Sequence, residues 1–388
     1  MDVMDKRLKV VIAPDSFKGS LAAEKVATAI ADGWCSIRSG DEVVCLPVAD
    51  GGEGTLDVFA AAVPGARRHR VAVTGPHGQP VQAEWLALPE GTAVVELASG
   101  SGLLLLGDTR SPLGAHTVGL GQLLAAALDE PTTDRLIVTL GGSASTDGGT
   151  GALAALGASF LDAAGEPLPP GGGALATLAA VDLTGLRPPP PGGVLCLTDV
   201  DLPLRGPRGA AAVFGPQKGA QPADIALLDA ALGRLAALLG GDPDAPGSGA
   251  SGGTGYGLAA AWGAQLVPGA ETVAERAGLP AALADADLVI TGEGRFDTTS
   301  LAGKVVGGVL RLAAGRSSAG PLPILLIVGH FGAPPPAGVR GAVALADLAG
   351  SVAAAIAEPD RWLTTAAKQL AATASGEPDT PEEPSTSG

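Results

Sequence analysis

Four short segments of this chain set small, acidic or basic residues around glycine. They are Asp15-Ser16-Phe17-Lys18-Gly19-Ser20, Asp50-Gly51-Gly52-Glu53-Gly54-Thr55, Gly141-Gly142-Ser143-Ala144-Ser145-Thr146-Asp147-Gly148-Gly149 and Gly292-Glu293-Gly294-Arg295-Phe296-Asp297. Each begins where an apolar, strand-like run ends, which is where an α/β protein opens its ligand crevice. Glycine lets the backbone approach a ligand closely, and carboxylates beside a lysine and an arginine supply the charge that phosphoryl transfer uses. Together the loops point to phosphate-handling chemistry.

Each loop also has a plain structural explanation. In the first, Lys18 is a point charge suited to phosphate or carboxylate, and Asp15 suits Mg²⁺ or a hydroxyl proton; a capped turn with a solvated lysine would read the same way. In the second, Asp50 and Glu53 stand three apart, a costly pairing unless a cation, a hydroxyl or helix-end amides neutralise it. A helix-capping turn explains that spacing equally well. The third offers several backbone N–H groups and the hydroxyls of Ser143, Ser145 and Thr146, the makings of an anion nest. It is not G-x-x-x-x-G-K-[ST], and the chain has no such sequence, so nucleotide binding would need a different architecture. Thr198-Asp199-Val200-Asp201, Gly215-Pro216-Gln217-Lys218-Gly219 and Gly303-Lys304 extend the pattern. One such loop is turn chemistry; a series of them, all at strand ends, is hard to explain that way.

Composition excludes several classes. At 388 residues the chain exceeds the roughly 250 to 300 at which single cores stop growing, so two domains are expected. The net charge of −16, from 24 basic and 40 acidic residues, argues against a nucleic-acid partner, which calls for a basic face. Cys35, Cys45 and Cys196 lack metal-ligand spacing and read as small buried hydrophobes in a reducing compartment. His69, His77, His116 and His330 are too dispersed for a metal cluster; His116 and His330 have the better claim to the crevice. Trp34 and Trp262 read as packing residues. The charged N-terminus lacks a signal-peptide core, and no apolar run approaches the roughly 20 residues of a spanning helix. A cytoplasmic protein with no membrane partner is expected.

The elements that position the loops follow from periodicity. Residues 9–13, 42–47, 135–140, 194–198, 287–291, 324–328 and 342–345 are buried-strand runs. Helical spacing covers 21–34, with Ser20 as N-cap, and also 55–62, 118–128, 225–239, 304–314 and 362–372. Short alternating strands at 71–74, 81–88 and 93–96 form an antiparallel meander, so the texture changes near Arg70. Residues 240–257, rich in Gly, Ser, Asp and Pro, read as a long loop, functional or hinge-like. The composition from Ser375 onward cannot bury a core.

Four segments resemble a known family: Val11-Ile12-Ala13-Pro14-Asp15-Ser16-Phe17-Lys18, Pro47-Val48-Ala49-Asp50-Gly51-Gly52-Glu53-Gly54-Thr55, Phe214-Gly215-Pro216-Gln217-Lys218-Gly219-Ala220 and Asp287-Leu288-Val289-Ile290-Thr291-Gly292-Glu293-Gly294-Arg295. They look like the signature segments of bacterial type I glycerate kinases, in order from about residue 9 to about 330. The resemblance implies ATP-dependent, Mg²⁺-assisted phosphorylation of D-glycerate, to 2-phosphoglycerate. It also implies an α/β fold in which a flavodoxin-like (Rossmann-like) parallel-sheet domain is made from both chain ends, 1–68 and 280–374. A second, mixed α/β domain, 69–279, is inserted, with the site in the cleft between them and a disordered tail, 375–388. Small molecules are the expected partners; a homodimer is left open.

Within that reading, Asp199, Lys18, Arg295 and Asp297 are the candidate catalytic residues, and Asp15, Ser16, Asp50, Glu53 and Lys218 the candidate substrate contacts. Gly141, Gly142, Ser143, Asp147, Gly148 and Glu293 are assigned to ATP, and Asp199 and Asp50 to Mg²⁺. Roles among the acids are interchangeable at this stage. The chain departs from the family pattern at Ser145, Thr146, Leu202 and Thr299 and at Thr117-Val118-Gly119, positions that bear on substrate choice. A kinase for a related hydroxy acid and a catalytically silent relative are the alternatives. A dinucleotide oxidoreductase lacks its G-x-G-x-x-G followed by an acid.

Overall fold

The computed structural model describes residues 6–301, 304–316 and 320–374; the expected disordered tail and Gly303 lie outside these. The chain divides into two compact units, one of Met1–Pro47, Ala281–Thr298 and Val309–Gly388, the other of Val48–Pro280 and Thr299–Gly308. The boundary expected near residue 69 falls at Val48 instead. The reason is physical: the turn 50–55 and the helix after it bond to the strands of the second unit, as described below.

The unit made from the chain ends is built on five parallel strands in the spatial order Val339–Ala344, Ile324–Phe331, Leu288–Phe296, Lys9–Ile12, Glu42–Cys45. Val10, Val11, Ile12, Val289, Ile290, Leu326 and Ile327 are buried, as expected of a parallel sheet covered on both faces. The helices Ala23–Ile37 and Pro359–Ala374 pack together, and Val26, Ile30 and Trp34 share a core with Leu363, Ala367 and Leu370. Ser20 does not cap the first helix. Its N-cap is Ala22, without a side-chain bond, and Ser20 Oγ instead donates to Phe17 O at 3.0 Å.

The second unit carries a six-stranded mixed sheet ordered Gln265–Pro268, Val194–Thr198, Arg135–Thr139, Thr92–Glu96, Pro80–Ala87, Arg67–Thr74. The first four are parallel; the last two join antiparallel, completing the expected meander. Its core, from Val73 to Ala264, is dominated by Leu, Ala and Val.

The expected loop 240–257 ends early, because Ala250–Trp262 is a helix with a left-handed break at Ser251, Gly252 and Gly253. Its glycines hide it from periodicity, and they serve close approach: a Cβ on Gly257 would stand 2.1 Å from Gly148 O. Cys35 and Cys45 are exposed, contrary to expectation, and only Cys196 is buried. Cys35 lies on the outer side of its helix, and Cys45 ends an edge strand. Trp34 and Trp262 pack as expected, each donating its indole N–H, to Asp41 Oδ2 and to Arg187 O.

Candidate active site

The four parallel strands of the second unit end at Glu96, Thr139, Thr198 and Pro268, and the turn 50–55 lies across all four ends. Gly141 N–H donates to Gly51 O at 3.3 Å. A Cβ on Gly51 would meet Leu197 Cβ at 3.0 Å, and one on Gly269 would meet Asp50 O at 2.4 Å. Thr55 N–H donates to Glu96 Oε1 at 2.9 Å. The turn is braced from within by Thr55 Oγ1 donating to Gly52 O at 2.8 Å and Gly52 N–H donating to Asp50 Oδ1 at 3.1 Å. Gly141 has to be glycine, because a Cβ there would stand 2.4 Å from Gly52 Cα. Glu53 is exposed and reaches toward Gly142.

Asp199 follows the strand Val194–Thr198 and is half-buried. Its Oδ1 accepts the N–H groups of Gly269 at 2.8 Å and Ala270 at 3.3 Å, the first amides of the helix Gly269–Arg276. It therefore fixes the helix that abuts Asp50, a role the sequence did not single out.

The loop 141–149 turns its donors inward. Asp147, fully buried, accepts from Thr117 N–H and Oγ1 at 2.8 Å each, from Ser145 Oγ at 2.9 Å, and from Gly149 and Gly151 N–H at 3.3 Å. Gly148 N–H donates to Gly252 O, and Ala144 N–H to Ser101 O, both at 3.0 Å. The anion that this nest holds is its own aspartate. Ser145, a position that differs from the family pattern, and Thr117, next to the departure at Val118, are spent on the same carboxylate.

Lys218, 2% exposed, donates to Ser143 Oγ at 2.9 Å and to Ser145 O. Burial draws its amine down to about 7, against the pull of Asp147. It fastens the loop, where the sequence suggested a substrate contact. His116 is also buried here, its Nδ1 without a hydrogen bond, and burial lowers its pKa.

The unit of chain ends holds the remaining candidates at its own strand ends. Asp15, buried, donates its N–H to Gly292 O at 2.8 Å and accepts Ser16 N–H at 2.6 Å on Oδ1. Glu293 is buried and half-buried His330 lies opposite Arg295 in the adjoining strand. Arg295, 65% exposed, pairs with Asp297 at 3.4 Å, and Lys18 is exposed.

Sequence reasoning missed Glu96. Burial pushes its carboxyl up to about 7, with Asp57 and Glu53 adding to the rise and the Thr55 and Leu56 amides opposing it. The available signal was an acid closing an apolar strand, the position that marked Asp199.

Among the described residues no group of three or more His, Cys, Asp or Glu is placed to hold a metal, and no helix is long and apolar enough to cross a membrane. A nucleotide-bound magnesium is a different case, since it asks for one or two carboxylates besides the phosphates. Asp50 and Glu53 on one turn fit that demand.

A model of the glycerate kinase family matches residues 10–375. The chain belongs to the glycerate kinase family. It is 45% identical to the glycerate 2-kinase of Escherichia coli K12 over 314 residues, 79% of this chain and 82% of that protein. The glycerate kinase of Bacillus subtilis 168 matches at the same identity and coverage. A Salmonella typhimurium LT2 crystal structure assigned to glycerate kinase 2 overlays with a TM-score of 0.79 at 39% identity, covering 95% of this chain and 98% of that one. The family's two-unit α/β fold is the one described above.

Proposed function

We propose that this enzyme transfers the γ-phosphoryl group of ATP to a hydroxyl of D-glycerate, yielding 2-phosphoglycerate. The glycerate kinases of Escherichia coli and Bacillus subtilis support the reaction, and one observation carries the assignment of residues: the carboxylate-bearing turn 50–55 crosses the ends of four parallel strands, where α/β proteins bind ligands.

Phosphoryl transfer needs positioning and neutralised charge more than covalent help from the protein. Asp50 is assigned to orient the attacking hydroxyl and receive its proton, and with Glu53 it would hold magnesium. That ion would neutralise charge on the transferring phosphate. Lys18 and Arg295 are assigned to the negative charge of phosphate or glycerate carboxylate, with Asp297 orienting the guanidinium. Asp199, Asp147 and Lys218 act one step back: they hold the helix and the loop that flank the turn.

The test is ADP release with D-glycerate and MgATP, followed by phosphorus NMR of the product. Turnover giving 2-phosphoglycerate is expected, and Asp50→Asn should lower kcat by at least about 100-fold. Absence of turnover on glycerate, with turnover on another hydroxy acid, would transfer the same machinery to that acid.

A further inference from the structure

We infer that Glu96 is a positioning residue for the reaction, holding the turn 50–55 in register with the loop 141–149. The helix Thr55–Ala62 starts behind Gly54, at φ 88°, with no side-chain cap of its own. Its cap comes from 41 residues away along the chain, as Glu96 Oε1 takes the Thr55 N–H at 2.9 Å. From Thr55 the connection runs through Oγ1 to Gly52 O, and from Gly52 N–H to Asp50 Oδ1. A buried carboxylate is thus three hydrogen bonds from the carboxylate assigned to the substrate hydroxyl.

The strand Thr92–Glu96 is buried along its whole length and hydrogen-bonded on both sides, to Pro80–Ala87 and to Arg135–Thr139, so the position of Glu96 is fixed by the sheet. Glu96 lies opposite Thr139, two residues before Gly141, whose N–H donates to Gly51 O. The turn is therefore gripped twice, by adjacent strands, one grip on each side of Gly52. Filling this place with a carboxylate is costly, because burial and the charges of Glu53 and Asp57 both oppose ionisation. An apolar side chain would pack at lower cost, but it would release the helix end and, with it, Asp50 and Glu53.

The inference rests on the proposed role of the turn, so the experiment treats the two together. Full-length enzyme carrying Glu96→Gln, Glu96→Asp, Thr55→Val, Asp50→Asn or Glu53→Gln is compared with wild type in steady-state kinetics and thermal melting. Glutamine keeps an acceptor oxygen at the same reach and should retain at least about a third of wild-type kcat/KM. Aspartate keeps the charge but draws the oxygen back by about 1.5 Å, beyond hydrogen-bond reach, and should lower kcat at least about tenfold in folded protein. A residue acting by charge would give the reverse order.

Thr55→Val breaks the second link without touching Glu96 and should lower kcat at least about fivefold, which keeps the test decisive if Glu96→Asp does not fold. Wild-type kinetics in Glu96→Asp or in Thr55→Val, or a loss in Glu96→Gln as large as in Glu96→Asp, overturns the inference. If Asp50→Asn and Glu53→Gln are fully active, the reading of the turn itself falls. If they are impaired while Glu96→Asp is normal, only the role of Glu96 falls.

Discussion

Lys218 and Glu96 are opposite in charge, both buried, and both drawn by burial to a pKa near 7. Their effects on stability run in opposite directions. The folded pKa of Lys218 lies below its ordinary 10.5, so the unfolded chain binds the extra proton, and stability rises with pH from about 7 toward 10.5. For Glu96 the folded value lies above the ordinary 4.5, so its contribution is complete below pH 4.5 and is lost as pH rises through about 7. Measured against Lys218→Met, wild-type unfolding free energy should climb between pH 7.5 and 9 by up to about 1.4 kcal/mol per pH unit. Measured against Glu96→Gln, it should fall between pH 5 and 7. Chemical denaturation of the three proteins across that range checks both signs, and parallel curves would mean that neither group titrates where its burial places it. Charged residue types at strand ends were legible in the sequence; burial was not. That is why Lys218 read as a substrate contact and Glu96 was passed over, since spacing carries no record of which acid faces solvent.

The element that organises the site is the glycine-lined approach of one turn to one loop. Gly141 and Gly52 meet backbone to backbone, and a Cβ on Gly141 would lie 2.4 Å from Gly52 Cα, closer than atoms tolerate. Gly141→Ala therefore has to push the turn 50–55 off the strand ends, while the sheet, whose bonds lie below it, stays intact. A fall in kcat/KM of about 100-fold, with a stability cost of about 1–3 kcal/mol, is expected. Far-UV circular dichroism should be unchanged, and full activity in this variant would show that the turn works without its present seat. Several buried strands were legible in the sequence because they are short runs of Val, Ile and Leu, as in Leu136, Ile137 and Val138, whereas the partly exposed Gln265–Pro268, without such a run, was not. The helix Ala250–Trp262 was not read, because its glycines remove the apolar stripe on which helical periodicity depends. In their place stands a surface that lets the backbone of Gly257 lie against Gly148 O.

At the scale of the whole molecule, the two units differ in how their cores are drawn from the chain. The large core cluster of the second unit is drawn from residues between Val71 and Leu266, whereas the other core joins Val10, Ile12 and Trp34 to Ile290, Ile327 and Leu370 from the far part of the chain. The pairing of Lys9–Ile12 with Leu288–Phe296 closes a loop that spans most of the sequence. Closing so long a loop costs entropy before its contacts repay it, which favours the second unit, most of it the single stretch Val48–Pro280, forming first. The texture change near Arg70 hinted at this division, but it placed residues 48–68 with the wrong sheet, because a strand–turn–helix run looks the same whichever sheet it serves. Thr55 shows the choice: its amide bonds to Glu96, in the second unit. A fragment spanning residues 48–280 should accordingly fold alone and melt cooperatively, while one spanning 1–47 should not fold. Scanning calorimetry of the two fragments beside the full chain decides the matter. A fragment 48–280 without a cooperative transition would mean that the second unit depends on the chain ends for its stability, and that the two cores form as one.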